Sequence, residues 1–161
     1  MKPDMKPLLA DRAAILARIP HQGSMCLLDG VVACDETEVR CIASSHRDVS
    51  NPLRAHGRLG AVCAIEYAAQ AMAAHGALLA SAADKPAPGF LASVRGVQLH
   101  VKRLDDIDED LEVTATRISG DATTILYDFS VSAGGRALAD GRAAVFLNAG
   151  SVLGTAHAAA T

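Results

Sequence analysis

The chain has no tryptophan, two tyrosines and three phenylalanines, so aromatic residues make up 3% of its 161 residues. That scarcity leaves no stacking platform for single-stranded nucleic acid. A formal net charge of −3 leaves no basic footprint for a duplex either, so no nucleic-acid partner is expected. Cysteine is sparse. Cys26, Cys34, Cys41 and Cys63 show none of the close pair spacing of a zinc site, and no histidine stands beside them in a ligand pattern. Free, buried thiols in a reducing compartment are the expectation. There is no Gly-x-Ser-x-Gly elbow and no glycine-rich phosphate loop, which argues against a serine hydrolase and a nucleotide-binding protein. The N-terminus Met-Lys-Pro-Asp-Met-Lys-Pro is not followed by an apolar run of signal-peptide length. The stretch Leu59–Ala83 has the length of a membrane span. Glu66, Gln70 and His75 within it, and alanine in place of leucine, argue for a soluble, cytoplasmic protein without membrane insertion.

Half of the residues are nevertheless apolar, so the core of what reads as one domain is built from Val, Leu, Ile and Ala. Leu9, Ala13, Leu16 and Ile19 recur at helical spacing over Leu8–Ile19, and Pro20 ends that helix. Met25–Ala33 and Glu38–Ala43 read as a hairpin around Asp35-Glu36. A polar, turn-rich stretch from His46 to Gly57 leads to a long alanine-rich helix from about Leu59 to Ser81. Beyond Pro86-Ala87-Pro88-Gly89 the period becomes two. Val97, Leu99 and Val101 point one way, Leu111, Val113 and Ala115 alternate with polar residues, and so do Ile125, Tyr127, Phe129 and Val131. Gly134-Gly135 signals a hairpin turn before a last strand, Ala137 to Leu147. The expectation is an α+β fold, a curved antiparallel sheet wrapped around one central helix. It occupies residues 1–147, with a disordered tail at 148–161. The acidic run Asp105, Asp106, Asp108, Glu109, Asp110 reads as a solvated turn rather than a metal site.

Glu66 is the only ionised side chain between Arg58 and Asp84. A glutamate among Val62, Ile65, Ala69 and Ala73 is paired, placed at an exposed edge, or employed as a general acid or base. Gln70 lies one turn further along the same face.

Three segments, in order, resemble the 3-hydroxyacyl-[acyl-carrier-protein] dehydratases. Ile19-Pro20-His21-Gln22-Gly23-Ser24-Met25-Cys26-Leu27-Leu28-Asp29 is similar to their opening LPHR…LLVD strand. Gly60-Ala61-Val62-Cys63-Ala64-Ile65-Glu66-Tyr67-Ala68-Ala69-Gln70-Ala71 is similar to the central-helix motif PGVLIIEAMAQA. Gly89-Phe90-Leu91-Ala92-Ser93-Val94-Arg95 through Val101-Lys102-Arg103-Leu104 resembles the strand YLAGIDKARFKRPV. The likeness is nearest to the dehydratase-like proteins of aryl polyene pigment clusters. It rests there on His46-Arg47-Asp48…Asn51-Pro52-Leu53-Arg54 and on Ile65 to Ala73.

The resemblance implies a hotdog fold and dehydration of 3-hydroxyacyl thioesters on acyl-carrier-protein phosphopantetheine, with no metal or cofactor. It implies a homodimer or a heterodimer with a related protein, in which one subunit's histidine meets the partner helix's glutamate. Glu66 falls on that glutamate. His56 lies near the position of the family's GHFP histidine, although Phe-Pro is missing and the loop to Glu66 is shorter. His46 is its rival and His21 a third candidate; His75 and His100 read as structural. Gly60, Cys63 and Gln70 are the candidate substrate-binding residues, the first two through the helix N-terminus. Arg47, Arg54, Arg58 and Arg95 are candidates for docking the acidic carrier protein. A hotdog thioesterase and a non-catalytic subunit partnering an active dehydratase are the alternatives.

Overall fold

The computed structural model describes residues 7–80 and 89–147; the tail 148–161, the linker's Pro86-Ala87-Pro88 and the expected helix end at Ser81 lie outside them. The first elements of the described residues are β1 (Ala10–Asp11) and α1 (Arg12–Leu16), whose N-cap Asp11 accepts a hydrogen bond from Ala14 N–H at 2.9 Å. This helix is shorter than its apolar spacing predicts, because Ala10 and Asp11 pair with Val31 and Gly30 of β2 (Gly30–Cys34). A second departure follows. Met25 closes a 3₁₀ turn instead of starting a strand, and β2 begins only at Gly30. The β2–β3 hairpin, with β3 at Glu38–Ala43, turns on Asp35, whose carboxylate accepts from the N–H groups of Thr37 and Glu38, both at 2.8 Å.

A 3₁₀ turn at Ala61–Cys63 leads into α2 (Ala64–Leu79). Four strands follow: β4 (Gly89–Leu99), β5 (Leu111–Gly120), β6 (Thr124–Ala133) and β7 (Arg136–Leu147). All pairings are antiparallel, in one sheet of order β1-β2-β3-β5-β6-β7-β4. Gly134 (φ 56°) and Gly135 (φ 79°) make the β6–β7 turn, both in the left-handed region that a two-residue hairpin requires.

The inner sheet face carries Val39, Cys41, Val113, Ala115, Tyr127, Phe129 and Val131, all buried against Tyr67, Ala68, Ala71 and Met72 of α2. Alanine on α2 lets helix and sheet come close without aromatic bulk. In β4 the expected period of two fails. Register shifts between Leu91 and Ser93 and between Arg95 and Gln98 put Leu91, Val94 and Val97 against the core at every third residue, and Leu99 is exposed.

His75 is fully buried on α2. Its Nε2–H donates to the Asp35 carbonyl at 2.7 Å, and its Nδ1 accepts from the Tyr127 hydroxyl at 2.7 Å. Burial raises the Tyr127 phenol to about 12. The imidazole therefore ties α2 to β6 and to the β2–β3 turn. His75→Leu leaves the buried Tyr127 hydroxyl without this partner and is expected to cost about 2 kcal/mol in urea unfolding.

Candidate active site

Glu66 stands in the first turn of α2. Its partners among the described residues are polar rather than the apolar lining the sequence suggests. Glu66 Oε1 lies 3.1 Å from His21 Nε2 and accepts from Gln70 Nε2 at 3.2 Å. The side chains of His21 and Glu66 remain 28% and 34% exposed, so an incoming molecule can reach both. Val62, expected to cover the carboxyl, is itself exposed.

The loop carrying His21 is held from both sides. Gln70 is fully buried; its Oε1 accepts from Leu27 N–H at 2.8 Å and its Nε2 donates to Met25 O at 2.7 Å. With the bond to Glu66, both amide hydrogens are occupied. Gln70 thus orients Glu66 and fastens the loop, and has no donor left for an acyl chain. From the other side Arg12 donates to Cys26 O at 2.6 Å and Gly23 O at 2.8 Å, while Gln22 Nε2 donates to Leu16 O and Ile19 O. Ser45 Oγ donates to Leu27 O at 2.7 Å and accepts from Tyr67 OH at 2.7 Å, and Asn51 Nδ2 donates to that same phenol at 3.2 Å. His21 Nδ1 is buried without a hydrogen-bond partner among the described residues, where its Nε2 side alone is engaged.

The two histidines placed ahead of His21 by sequence lie elsewhere. His46 is buried in the 3₁₀ turn Ser45–Arg47; its Nε2–H donates to Ile107 O at 3.0 Å and its Nδ1 has no partner among the described residues. His56 is exposed at φ 54°, in a two-residue turn with Gly57 that joins the paired residues Ala55 and Arg58. A left-handed site tolerates histidine better than a β-branched residue. Neither histidine is among the partners of Glu66.

Burial holds the His46 imidazole below its usual pKa, against the Ile107 carbonyl that raises it, with Arg47 lowering it further. The unfolded chain therefore takes up this proton first. The stabilising effect of the neutral imidazole is complete above the unfolded value of about 6.5 and is lost as pH falls from there through the folded pKa. His46→Gln is expected to flatten the fall of Tm between pH 7 and pH 5, measured by thermal scans.

Gly60 precedes the 3₁₀ turn and Cys63 ends it, half-buried. Two N–H groups there are already used, Ala61 to Lys102 O at 3.1 Å and Cys63 to Gly60 O at 3.0 Å. The Cys63 thiol is raised by burial and by Glu66 nearby. All four cysteines are free, and burial pushes Cys41 up to about 12. The acidic turn is engaged by cations of the chain. Arg103 pairs with Asp105, which also accepts from Leu59 N–H at 2.9 Å, and Arg47 meets Asp110 at 2.6 Å. Arg54 bonds to the His46 and Gly57 carbonyls, and Arg58 is exposed. No helix among the described residues is long and apolar enough to cross a membrane.

The family model ApeP-like, described as ApeP dehydratase, matches residues 13–153. Among solved structures, the dehydratase heterocomplex ApeI:P from Xenorhabdus doucetiae is 23% identical, with a TM-score of 0.73, over 88% of this chain and 95% of that one. A zebrafish thioesterase superfamily member 2 is 17% identical, with a TM-score of 0.58, over 84% and 94%. A hypothetical thioesterase with coenzyme A from Streptococcus pneumoniae is 14% identical, with a TM-score of 0.54, over 73% and 83%. No curated protein matches at the sequence level. These likenesses show the hotdog fold, the α+β arrangement expected from the sequence.

Proposed function

Because the chain belongs to the ApeP-like dehydratase family, we propose that it removes water from 3-hydroxyacyl thioesters on an acyl carrier protein, in fatty-acid-like or aryl polyene synthesis. The observation that carries this reading is the contact of His21 Nε2 with Glu66 Oε1 at 3.1 Å within one chain. Elimination needs a base for the proton α to the thioester carbonyl and an acid for the departing β-hydroxyl. Neutral His21 takes the α-proton, the electron pair of that C–H bond becomes the C=C bond, and the β C–O bond breaks. Protonated Glu66 supplies the proton with which the hydroxyl leaves as water. The pair then holds an imidazolium and a carboxylate, and direct contact returns the proton from nitrogen to oxygen. No other proton carrier is needed between turnovers.

His21 is assigned as the base in this proposal because it touches Glu66 within this chain; His46 and His56 make no such contact within it, and would act only on the Glu66 of a partner subunit. Gln70 is a positioning residue rather than a substrate contact. Gly60 and Cys63 lie at the helix start, where a thioester oxygen would approach. Arg58, exposed and basic, suits the acidic surface of a carrier protein.

The full chain, supplied with a 3-hydroxyacyl carrier protein, is expected to generate enoyl-thioester absorbance without free thiol. Thiol release without an enoyl product would replace this reading with a hotdog thioesterase. A second reading is supported by the heterocomplex relative: the chain pairs with a second hotdog protein. If turnover appears only with such a companion and survives Glu66→Gln, the chain is its non-catalytic subunit.

A further inference from the structure

Tyr67 follows Glu66 directly on α2 and stands where the motif PGVLIIEAMAQA has alanine. It is fully buried, and the elimination makes no use of its hydroxyl. The hydrogen bonds around that hydroxyl have only one possible direction. Leu27 O can only accept, so the single hydrogen of Ser45 Oγ goes to it at 2.7 Å. Ser45 Oγ must then accept from the Tyr67 O–H at 2.7 Å. Asn51 Oδ1 accepts from Leu53 N–H at 2.9 Å, which fixes the orientation of the amide. Its two amide hydrogens go to Ser45 O at 2.9 Å and to the Tyr67 oxygen at 3.2 Å. Burial raises the Tyr67 phenol, so it keeps the proton that this order requires.

A single directed chain of donors therefore runs from Asn51 through Tyr67 and Ser45 to Leu27 O. Bonds aligned in this way reinforce one another, and a broken link inside the protein is costly. The chain matters for what it joins. Leu27 is fully buried, and both of its backbone polar groups are tied to α2. Gln70 takes its N–H directly, and Tyr67 holds its C=O through Ser45. The same hydroxyl closes the segment from Ser45 to Asn51 onto the helix. Glu66 and Tyr67 are neighbours on one rigid element, so the carboxylate and this clamp keep a fixed relation. Misplacing reacting groups by about 1 Å can cost about 10²-fold in rate.

We propose that Tyr67 is a positioning residue for the elimination: its hydroxyl, acting through Ser45 and Leu27, keeps the loop that carries His21 in contact with Glu66. This rests on the assignment of His21 and Glu66 proposed above. Tyr67 touches neither substrate nor reacting atoms in this role. It sets where one of the two reacting groups stands.

The test compares Tyr67→Phe with Tyr127→Phe in the full chain. Each removes one buried phenolic oxygen that has a partner at 2.7 Å. A merely structural role predicts a similar fall in Tm and unchanged kcat for both. Positioning predicts that Tyr67→Phe lowers kcat by about 10- to 100-fold with KM within about twofold, while Tyr127→Phe keeps wild-type turnover. Equal kcat in the two variants overturns the proposal, as does a Tyr67→Phe loss carried by KM alone. A second readout needs no turnover. In nitrogen NMR of the imidazoles, the His21 signals are expected to shift in Tyr67→Phe and to stay in place in Tyr127→Phe; His21 signals unmoved by Tyr67→Phe overturn the proposal. If Tyr67→Phe does not fold, Ser45→Ala breaks the next link and carries the same expectations. Placement and use are thereby measured separately: full turnover of His21→Asn refutes the base assignment, whereas an unmoved His21 signal refutes the placement.

Discussion

Glu66→Gln is expected to lower kcat/KM for a 3-hydroxyacyl thioester by about 10²- to 10⁴-fold, the usual contribution of one general acid. The substitution keeps size and an acceptor oxygen for Gln70 Nε2, so the Met25–Leu27 anchorage of the loop stays in place. What it removes is a transferable proton. Thermal unfolding within a few degrees of wild type would separate this chemical loss from a folding defect. A variant as active as the parent would leave Glu66 as an ordinary half-exposed helix residue.

His21→Asn should cost a similar 10²- to 10⁴-fold in kcat/KM. Stability is expected to change little, because His21 Nδ1 has no partner to lose among the described residues and the ring is partly open to solvent. The contrast with the other histidines sharpens the result. His56→Asn keeps a residue suited to a left-handed turn and should leave turnover within twofold of wild type. Full activity of His21→Asn with loss in His56→Asn or His46→Gln would move the base to another loop.

The strands and helix were legible because their signals are local. Alternation in Leu111–Ala115 and Ile125–Val131 reports a half-buried sheet, and Gly134-Gly135 marks its turn. Alanine run length gave α2, and the lone carboxylate on it pointed to Glu66. Two features of β4 were hidden. Its start at Gly89 lies before any clean alternation, and its bulges turn a period of two into three. The imidazole beside Glu66, His21, stood only third among the candidates in the sequence. His56 is nearer in sequence, yet proximity is set by Gln70, which draws the Met25–Leu27 backbone onto α2 and carries His21 with it. A glutamine four residues after a helix carboxylate was the available signal, and its buried backbone bonds are a property of the folded loop alone. The same holds for Arg12, whose carbonyl partners leave no trace in sequence.

The most direct measurement is single-turnover dehydration by the Glu66→Gln/His21→Asn double variant beside both single variants. Groups that exchange a proton across one contact act as a unit, so the double variant is predicted to be no more than a few-fold slower than the slower single. Losses that multiply would show two independent sites of action and contradict a shared proton between Glu66 and His21.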